Sequence, residues 1–165
     1  MGFRGANTDE AGYVTVRVFR RMNAEAPSVA AEVLLLAGNA EDVRLVRDAA
    51  QSSKVTAVEA CPSVLAYVRR EGEYKNATRP DLILLDIDLT NDAHCEVLKE
   101  LKTDPSLRTI PVVVLTSPGP VSSMQKAYEF NANACVVKPT DAAEYVRVIR
   151  GTLNFWLNLA RLPRE

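Results

Sequence analysis

Several things are scarce in this chain, and each shortage excludes a class of protein. There are three cysteines, Cys61, Cys95 and Cys135, an odd number set far apart with no C-x-x-C pair. That argues against a disulfide framework or a cysteine zinc site, and it suits a reducing cytoplasm, the location expected here. The single histidine, His94, argues against a histidine metal site and against a Ser-His triad. The apolar runs are short: Val33–Ala37 is typical, bounded by Glu32 and Gly38. A spanning helix needs about 20 apolar residues, so no membrane segment is expected. The opening MGFRGANTDE lacks the apolar core of a secretion signal. Charge of one sign is also missing, with 20 Lys+Arg against 21 Asp+Glu and a formal net charge of −1. No global positive field exists to collect nucleic acid or anionic membrane, and neither is expected as a partner.

What is present fits one globular domain. The chain has 165 residues, 47% hydrophobic and 25% charged, which is ordinary usage for a folded domain. Residues 1–31 stand apart as an N-terminal extension, flexible or loosely docked. Val14, Val16 and Val18 alternate there with Thr15, Arg17 and Phe19 and predict a weak strand. Met22 is a plausible natural start. The domain proper is expected over 32–162, with 163–165 as a tail. Within it, apolar runs of strand length recur at Val33–Ala37, Val55–Val58, Leu82–Asp86, Val112–Thr116 and Ala134–Val137. Helical stretches lie between and after them: Asn39–Ser53 with Asn39 as N-cap, Pro62–Glu73, Asn91–Lys102, Val121–Phe130 and Asp141–Leu162. Strand alternating with helix five times predicts an α/β fold, a parallel sheet covered on both faces.

Such sheets bind ligands beyond the carboxyl ends of their strands. The first strand ends at Ala37-Gly38-Asn39, the third at Asp86, the fourth at Thr116-Ser117 and the fifth at Lys138-Pro139. Carboxylate, hydroxyl and ammonium therefore meet at one edge. An aspartate can accept a phosphoryl group as a nucleophile, and a lysine and a hydroxyl can grip its oxygens. The plainer alternative is an Asp86–Lys138 ion pair that only closes the sheet edge.

The segment PDLILLDIDLTNDAHCEVLKELKTDPSLRTIPVVVLTS, followed by AYEFNANACVVKPTD, strongly resembles the receiver domain of two-component response regulators. The resemblance runs from about Val33 to Ile149. LKTDPSLRTIPVVVLTS and the terminal FWLNLARLP resemble the small stand-alone regulators that partner bacterial phytochromes. It implies a flavodoxin-like (CheY-like), doubly wound five-stranded sheet in the order 2-1-3-4-5, three layers α/β/α. It implies a phosphorelay signalling protein and no enzyme, working through protein–protein contacts with a sensor histidine kinase or phosphotransfer protein. Carried over by position, Asp86 is the phospho-acceptor, Thr116 the switch hydroxyl and Lys138 the phosphate-pairing lysine, with Lys138-Pro139 as a cis peptide.

The departures are specific. Receivers carry an acidic pair after the first strand that holds Mg²⁺; here those positions are Ala37 and Gly38. Mg²⁺ is held through carboxylates in octahedral geometry, so no resident cofactor is expected, only weak Mg²⁺ binding through Asp86 and the Asp88 backbone. One carboxylate and one lysine sum to zero without metal. The switch aromatic is replaced by Cys135, the usual turn glycine by His94 and the usual proline by Thr90. The expectation is a pseudo-receiver with impaired Mg²⁺-dependent phosphorylation; the alternative is a competent phospho-acceptor at Asp86.

LILLDIDLT also fits the D-x-D-x-T motif of haloacid-dehalogenase-type phosphatases, with Asp86 as nucleophile, Asp88 as general acid, VVVLTS as second motif and Lys138 as third. Against this, Asn91–Lys102 reads directly as a helix where those enzymes insert a flap. After Lys138 only Asp141 and Glu144 follow, on a helix. His94 reads as a surface residue, Cys61 as packing, and Arg44, Arg47, Arg69 and Arg70 as solvated helix faces. The terminal helix carries one apolar stripe through Tyr145, Ile149, Leu153, Trp156 and Leu157 and a second through Val148, Phe155, Leu159 and Leu162. Together they exceed the width of about 100° that a sheet-facing helix uses. The second stripe is the expected homodimer interface, with the N-terminal extension as the alternative cover.

Overall fold

The computed structural model describes residues 30–163; the strand expected at Val14–Phe19 lies outside them. Five strands form from the five apolar runs: β1 (Glu32–Leu36), β2 (Lys54–Val58), β3 (Leu82–Asp86), β4 (Val112–Thr116) and β5 (Ala134–Val137). All pairings are parallel, and the order is β2-β1-β3-β4-β5. Five helices alternate with them: α1 (Ala40–Ala50), α2 (Cys61–Arg69), α3 (Asp92–Thr103), α4 (Val121–Glu129) and α5 (Ala142–Asn154). This is the flavodoxin-like α/β/α arrangement.

The sheet sorts its side chains by the two-residue period of a strand. Leu34 and Leu36 of β1 and Ile83 and Leu85 of β3 face one way, against Val64 and Tyr67 of α2, Leu98 and Leu101 of α3 and Ala127 of α4. Val33 and Leu35, with Leu82 and Leu84, face the other way, against Leu45, Val46 and Ala49 of α1 and Tyr145, Ile149 and Leu153 of α5. The central strands β1, β3 and β4 are apolar on both faces for this reason, while β2 and β5 form the edges and are only partly covered. Each large side chain fully withdrawn from water contributes roughly 1.5–3 kcal/mol, so these two layers hold the domain together.

Three local features differ from expectation. The second helix stops at Arg69, where Arg70 turns left-handed at φ 58°, and a separate 3₁₀ turn follows over Gly72–Tyr74. The terminal helix does not run unbroken to Leu162. α5 stops at Asn154, a π-helical turn occupies Phe155–Leu159, and Ala160 is extended at φ −70°, ψ 140°. The Ala160 amide donates to the Phe155 carbonyl at 2.8 Å, a five-residue span that ends the helix. Pro163 follows shortly after, and the residue before a proline is pushed out of the helical region. Trp156 and Leu157 still pack against the α1/α5 side of the core, as their stripe predicts. The third difference is at Lys138-Pro139, which is trans, as are all the described peptide bonds.

Candidate functional site

Two residues at the carboxyl edge are held by the strands themselves. Asp86 is the last residue of β3, and Lys138 follows β5, with β4 between them. The Lys138 amide donates to the Thr116 carbonyl at 2.8 Å, which continues the β4–β5 ladder and fixes where the lysine starts. Its ammonium donates to both oxygens of Asp86, each at 2.8 Å. The pairing expected from the sequence is therefore present, and it is two-pronged.

A third member of the cluster was not anticipated. Asp42, in the first turn of α1, accepts from the same Lys138 ammonium at 3.0 Å. Its position follows from the helix start. Asn39 is the N-cap, and its side-chain oxygen accepts from the Asp42 amide at 2.7 Å. The Asn39 side-chain NH₂ donates to Asp42 Oδ2 at 2.8 Å. The cap thus satisfies an orphan helix N–H and turns the Asp42 carboxylate toward the sheet edge. Two carboxylates now share one ammonium, so the local charge is one negative in excess, not zero. The three side chains are largely buried, Asp86 15% exposed and Asp42 and Lys138 17% each.

The electrostatics follow from that sharing. Burial pushes the Asp86 carboxyl up; Lys138 pulls it back, but the neighbouring Asp42 charge adds to the rise and leaves it above the ordinary value. Burial also works to raise Asp42, but hydrogen bonds from Asn39 and Lys138 outweigh it and hold Asp42 below the ordinary range. Two like charges at close quarters separate in this way. For Lys138 burial works downward, and the hydrogen bonds to Asp86 and Asp42 overcome it, so its ammonium is held above the usual lysine value. Behind the cluster, the Tyr145 ring is 3% exposed within the core. Its buried hydroxyl has no hydrogen-bond partner, and burial together with the charges of Asp42 and Asp86 raises its pKa.

The other residues named from the sequence are near this edge but not in the cluster. The Thr116 hydroxyl donates to the Ser117 carbonyl at 3.3 Å. The Asp88 carboxylate accepts from the amide and hydroxyl of Thr90 at 2.8 and 2.7 Å, which turns it into its own loop. His94 Nδ1 lies 3.0 Å from both the amide nitrogen and the carbonyl oxygen of Asp88, so the ring ties the β3–α3 loop to the start of α3. Cys135 is partly covered by the core, and its amide donates to the hydroxyl of Tyr128 on α4 at 3.3 Å. An aromatic side chain therefore does reach this position, from the neighbouring helix. Ala37 is buried among the apolar residues of the α1/α5 face. Gly38 has open space where a Cβ would stand.

At the two positions where receivers carry the acidic pair, Ala37 and Gly38 offer no side-chain ligand to a divalent cation. No group of three His, Cys, Asp or Glu side chains suited to a metal occurs among the described residues. Both carboxylates at the edge already face the Lys138 ammonium, and the Asp88 carbonyl faces His94. What the arrangement offers is a carboxylate nucleophile, Asp86, with a cation fixed against it. Among the described residues no helix is long and apolar enough to cross a membrane.

Known proteins share this architecture. A family model described as the response regulator receiver domain matches residues 33–150. The response regulator Rcp1 of Synechocystis sp. is 33% identical over 135 residues, 79% of this chain and 92% of that protein. Among solved structures, the phosphorylated cyanobacterial phytochrome response regulator RcpA superposes with a TM-score of 0.76 at 36% identity, covering 82% of this chain and all of that one. The Mn(2+)-bound form of Rcp1 gives a TM-score of 0.74 at 32% identity over 81% of this chain and 99% of that chain. Sheet order, the Asp86–Lys138 edge and these matches agree, and the chain belongs to the response regulator receiver domain family.

Proposed function

We propose that this chain is a stand-alone response regulator acting in phosphorelay signalling with a phytochrome-type sensor histidine kinase or a phosphotransfer protein, and that its Mg²⁺-dependent phosphorylation is impaired. The kinase class rests on the likeness to RcpA and Rcp1. The impairment rests on one observation: the edge that should hold a metal has Ala37 and Gly38 in place of acidic residues, and Lys138 already neutralises Asp86 through both oxygens. Phosphorylation would join an Asp86 oxygen to phosphorus as the donor's P–N bond breaks, the imidazole keeping the electron pair. Without a divalent ion, Lys138 is left to offset the charge that gathers on the phosphoryl oxygens. Mg²⁺ binding is accordingly weak, and the receiver works mainly through contacts with other proteins.

The protein surface for such contacts includes the end of the chain. Phe155 and Leu159 are 51% and 67% exposed; Val148 and Leu162, the other two residues expected at the interface, are half-buried, and Leu162 lies beyond the helix end. A second copy related by a two-fold axis would cover this patch with itself, the commonest symmetry of oligomers.

A competent acceptor is favoured by one comparison, since the structure of the relative RcpA is of its phosphorylated form. Acetyl phosphate with Mg²⁺ separates the two readings. Intact mass or a Phos-tag gel should show little phosphoprotein, and none in Asp86→Asn. Stoichiometric Asp86-dependent modification within minutes would establish a competent receiver and remove the impairment.

A further inference from the structure

We propose that Asp42 is a positioning residue that holds the phospho-acceptor site closed: its carboxylate competes with any phosphoryl group on Asp86 for the one ammonium of Lys138. The inference rests on the phospho-acceptor reading of Asp86 and explains how the site is restrained.

The geometry carries it. Lys138 makes three contacts at this edge, two to Asp86 at 2.8 Å and one to Asp42 at 3.0 Å. The Asp42 carboxylate is not free to swing away, because Asn39 holds the same Oδ2 atom at 2.8 Å and caps the Asp42 amide at 2.7 Å. A phosphoryl group on Asp86 brings up to two negative charges into the same space. It would meet a fixed carboxylate and a lysine already shared with that carboxylate. Like charges at a few ångströms repel strongly where side chains are mostly buried. In a receiver with bound metal a divalent cation would offset this repulsion; here the positions that supply its acidic pair are Ala37 and Gly38.

The sequence context agrees with a device built from this chain's own residues. Asn39 and Asp42 form a helix cap, and a cap alone needs only the Asn39 oxygen and the Asp42 amide. The Asp42 side chain is not needed for that bond, yet it reaches across to a lysine 96 positions away. Glu41 and Asp42 both lie in the first turn, where acidic residues suit the helix dipole. Of these two, Asp42 faces Lys138, while Glu41 lies 4.0 Å from Arg44 on the exposed side.

The test uses the trifluoroberyllate anion, a phosphoryl mimic, titrated in the presence of Mg²⁺ and followed by ¹⁹F NMR. The proteins are the unmutated chain, Asp42→Asn, Asp42→Glu and Asp86→Asn. Asp42→Asn is isosteric and keeps the backbone cap, so circular dichroism should be unchanged. It removes one negative charge beside the ligand and frees Lys138, and apparent affinity should rise about tenfold or more. Asp42→Glu keeps the charge and should stay near the unmutated value, whereas a role only in capping would move both variants alike. Asp86→Asn should not bind. Equal affinity in the unmutated protein and Asp42→Asn, including no binding in either, overturns the proposal. So does a loss of affinity in Asp42→Asn, which would make Asp42 a helper of the site. Failure of the impairment reading looks different: the unmutated protein would itself bind tightly, whatever Asp42→Asn does relative to it.

Discussion

Replacing Lys138 by Met keeps the length of the side chain and removes the ammonium that Asp86 and Asp42 share. Breaking a fully buried pair by removing one partner costs roughly 3–5 kcal/mol, and breaking an exposed pair about 0.2–1 kcal/mol. Asp86, Asp42 and Lys138 retain 15–17% exposure, and three hydrogen bonds are lost. The cost should therefore fall at about 2–4 kcal/mol at pH 7. With a urea slope of about 2 kcal/mol/M, the midpoint should drop by roughly 1–2 M. The pH dependence has a definite sign. In the unmutated protein Lys138 lowers the Asp86 pKa against burial and Asp42. Without it, the folded-state pKa of Asp86 rises further above its unfolded value of about 3.9. A carboxyl whose pKa is raised on folding binds more protons in the folded state, so the variant gains stability as pH falls. The gap between variant and parent should narrow between pH 7 and pH 5. A loss under about 1 kcal/mol, the range of exposed pairs, or a gap that stays constant or widens on acidification, would refute the shared-ammonium account.

Two further predictions concern other parts of the molecule. Phe155→Asp combined with Leu159→Asp should convert a dimer into a folded monomer by sedimentation, with unchanged circular dichroism; an unmutated protein that is monomeric at tens of micromolar would remove the dimer. Lys102 donates to the Arg108 and Ile110 carbonyls and to Asn133 at 2.8, 3.0 and 2.9 Å, closing the loop between α3 and β4; Lys102→Met should cost about 1–3 kcal/mol in urea denaturation, and a change within error would show that solvent replaces those bonds.

The elements were legible because each strand is a short apolar run and four of the five helices start at a recognisable signal, Asn39, Pro62, Asn91 or Asp141. The Asp86–Lys138 pair was legible too, since a parallel sheet brings strand ends together whatever the sequence distance. Asp42 was not. Its signal, Asn39 three residues before it, marks a helix cap, and nothing in a cap says that the capped residue's carboxylate points at a distant strand end. Counting only strand-end residues therefore balanced the site at zero charge, where Asp42 makes it negative. The aromatic at Cys135 was missed for a similar reason, since Tyr128 arrives from α4 and not from β5. The helix end was misjudged because the apolar period continues past Asn154, while the backbone shifts to a five-residue turn just ahead of Pro163. Apolar spacing does not encode that shift.

The central claim is that the acidic edge is organised by Lys138, whose one ammonium Asp86 and Asp42 share, and that it holds Mg²⁺ only weakly. Calorimetric titration with Mg²⁺ tests it most directly, with Asp86→Asn as control and Gly38→Asp as the restoring variant. Gly38 accepts a side chain without strain, since its φ is not positive and no atom lies within 4 Å of an added Cβ. The account predicts binding weaker than millimolar in the unmutated protein and a clear gain in Gly38→Asp. Sub-millimolar binding by the unmutated protein that disappears in Asp86→Asn would contradict it.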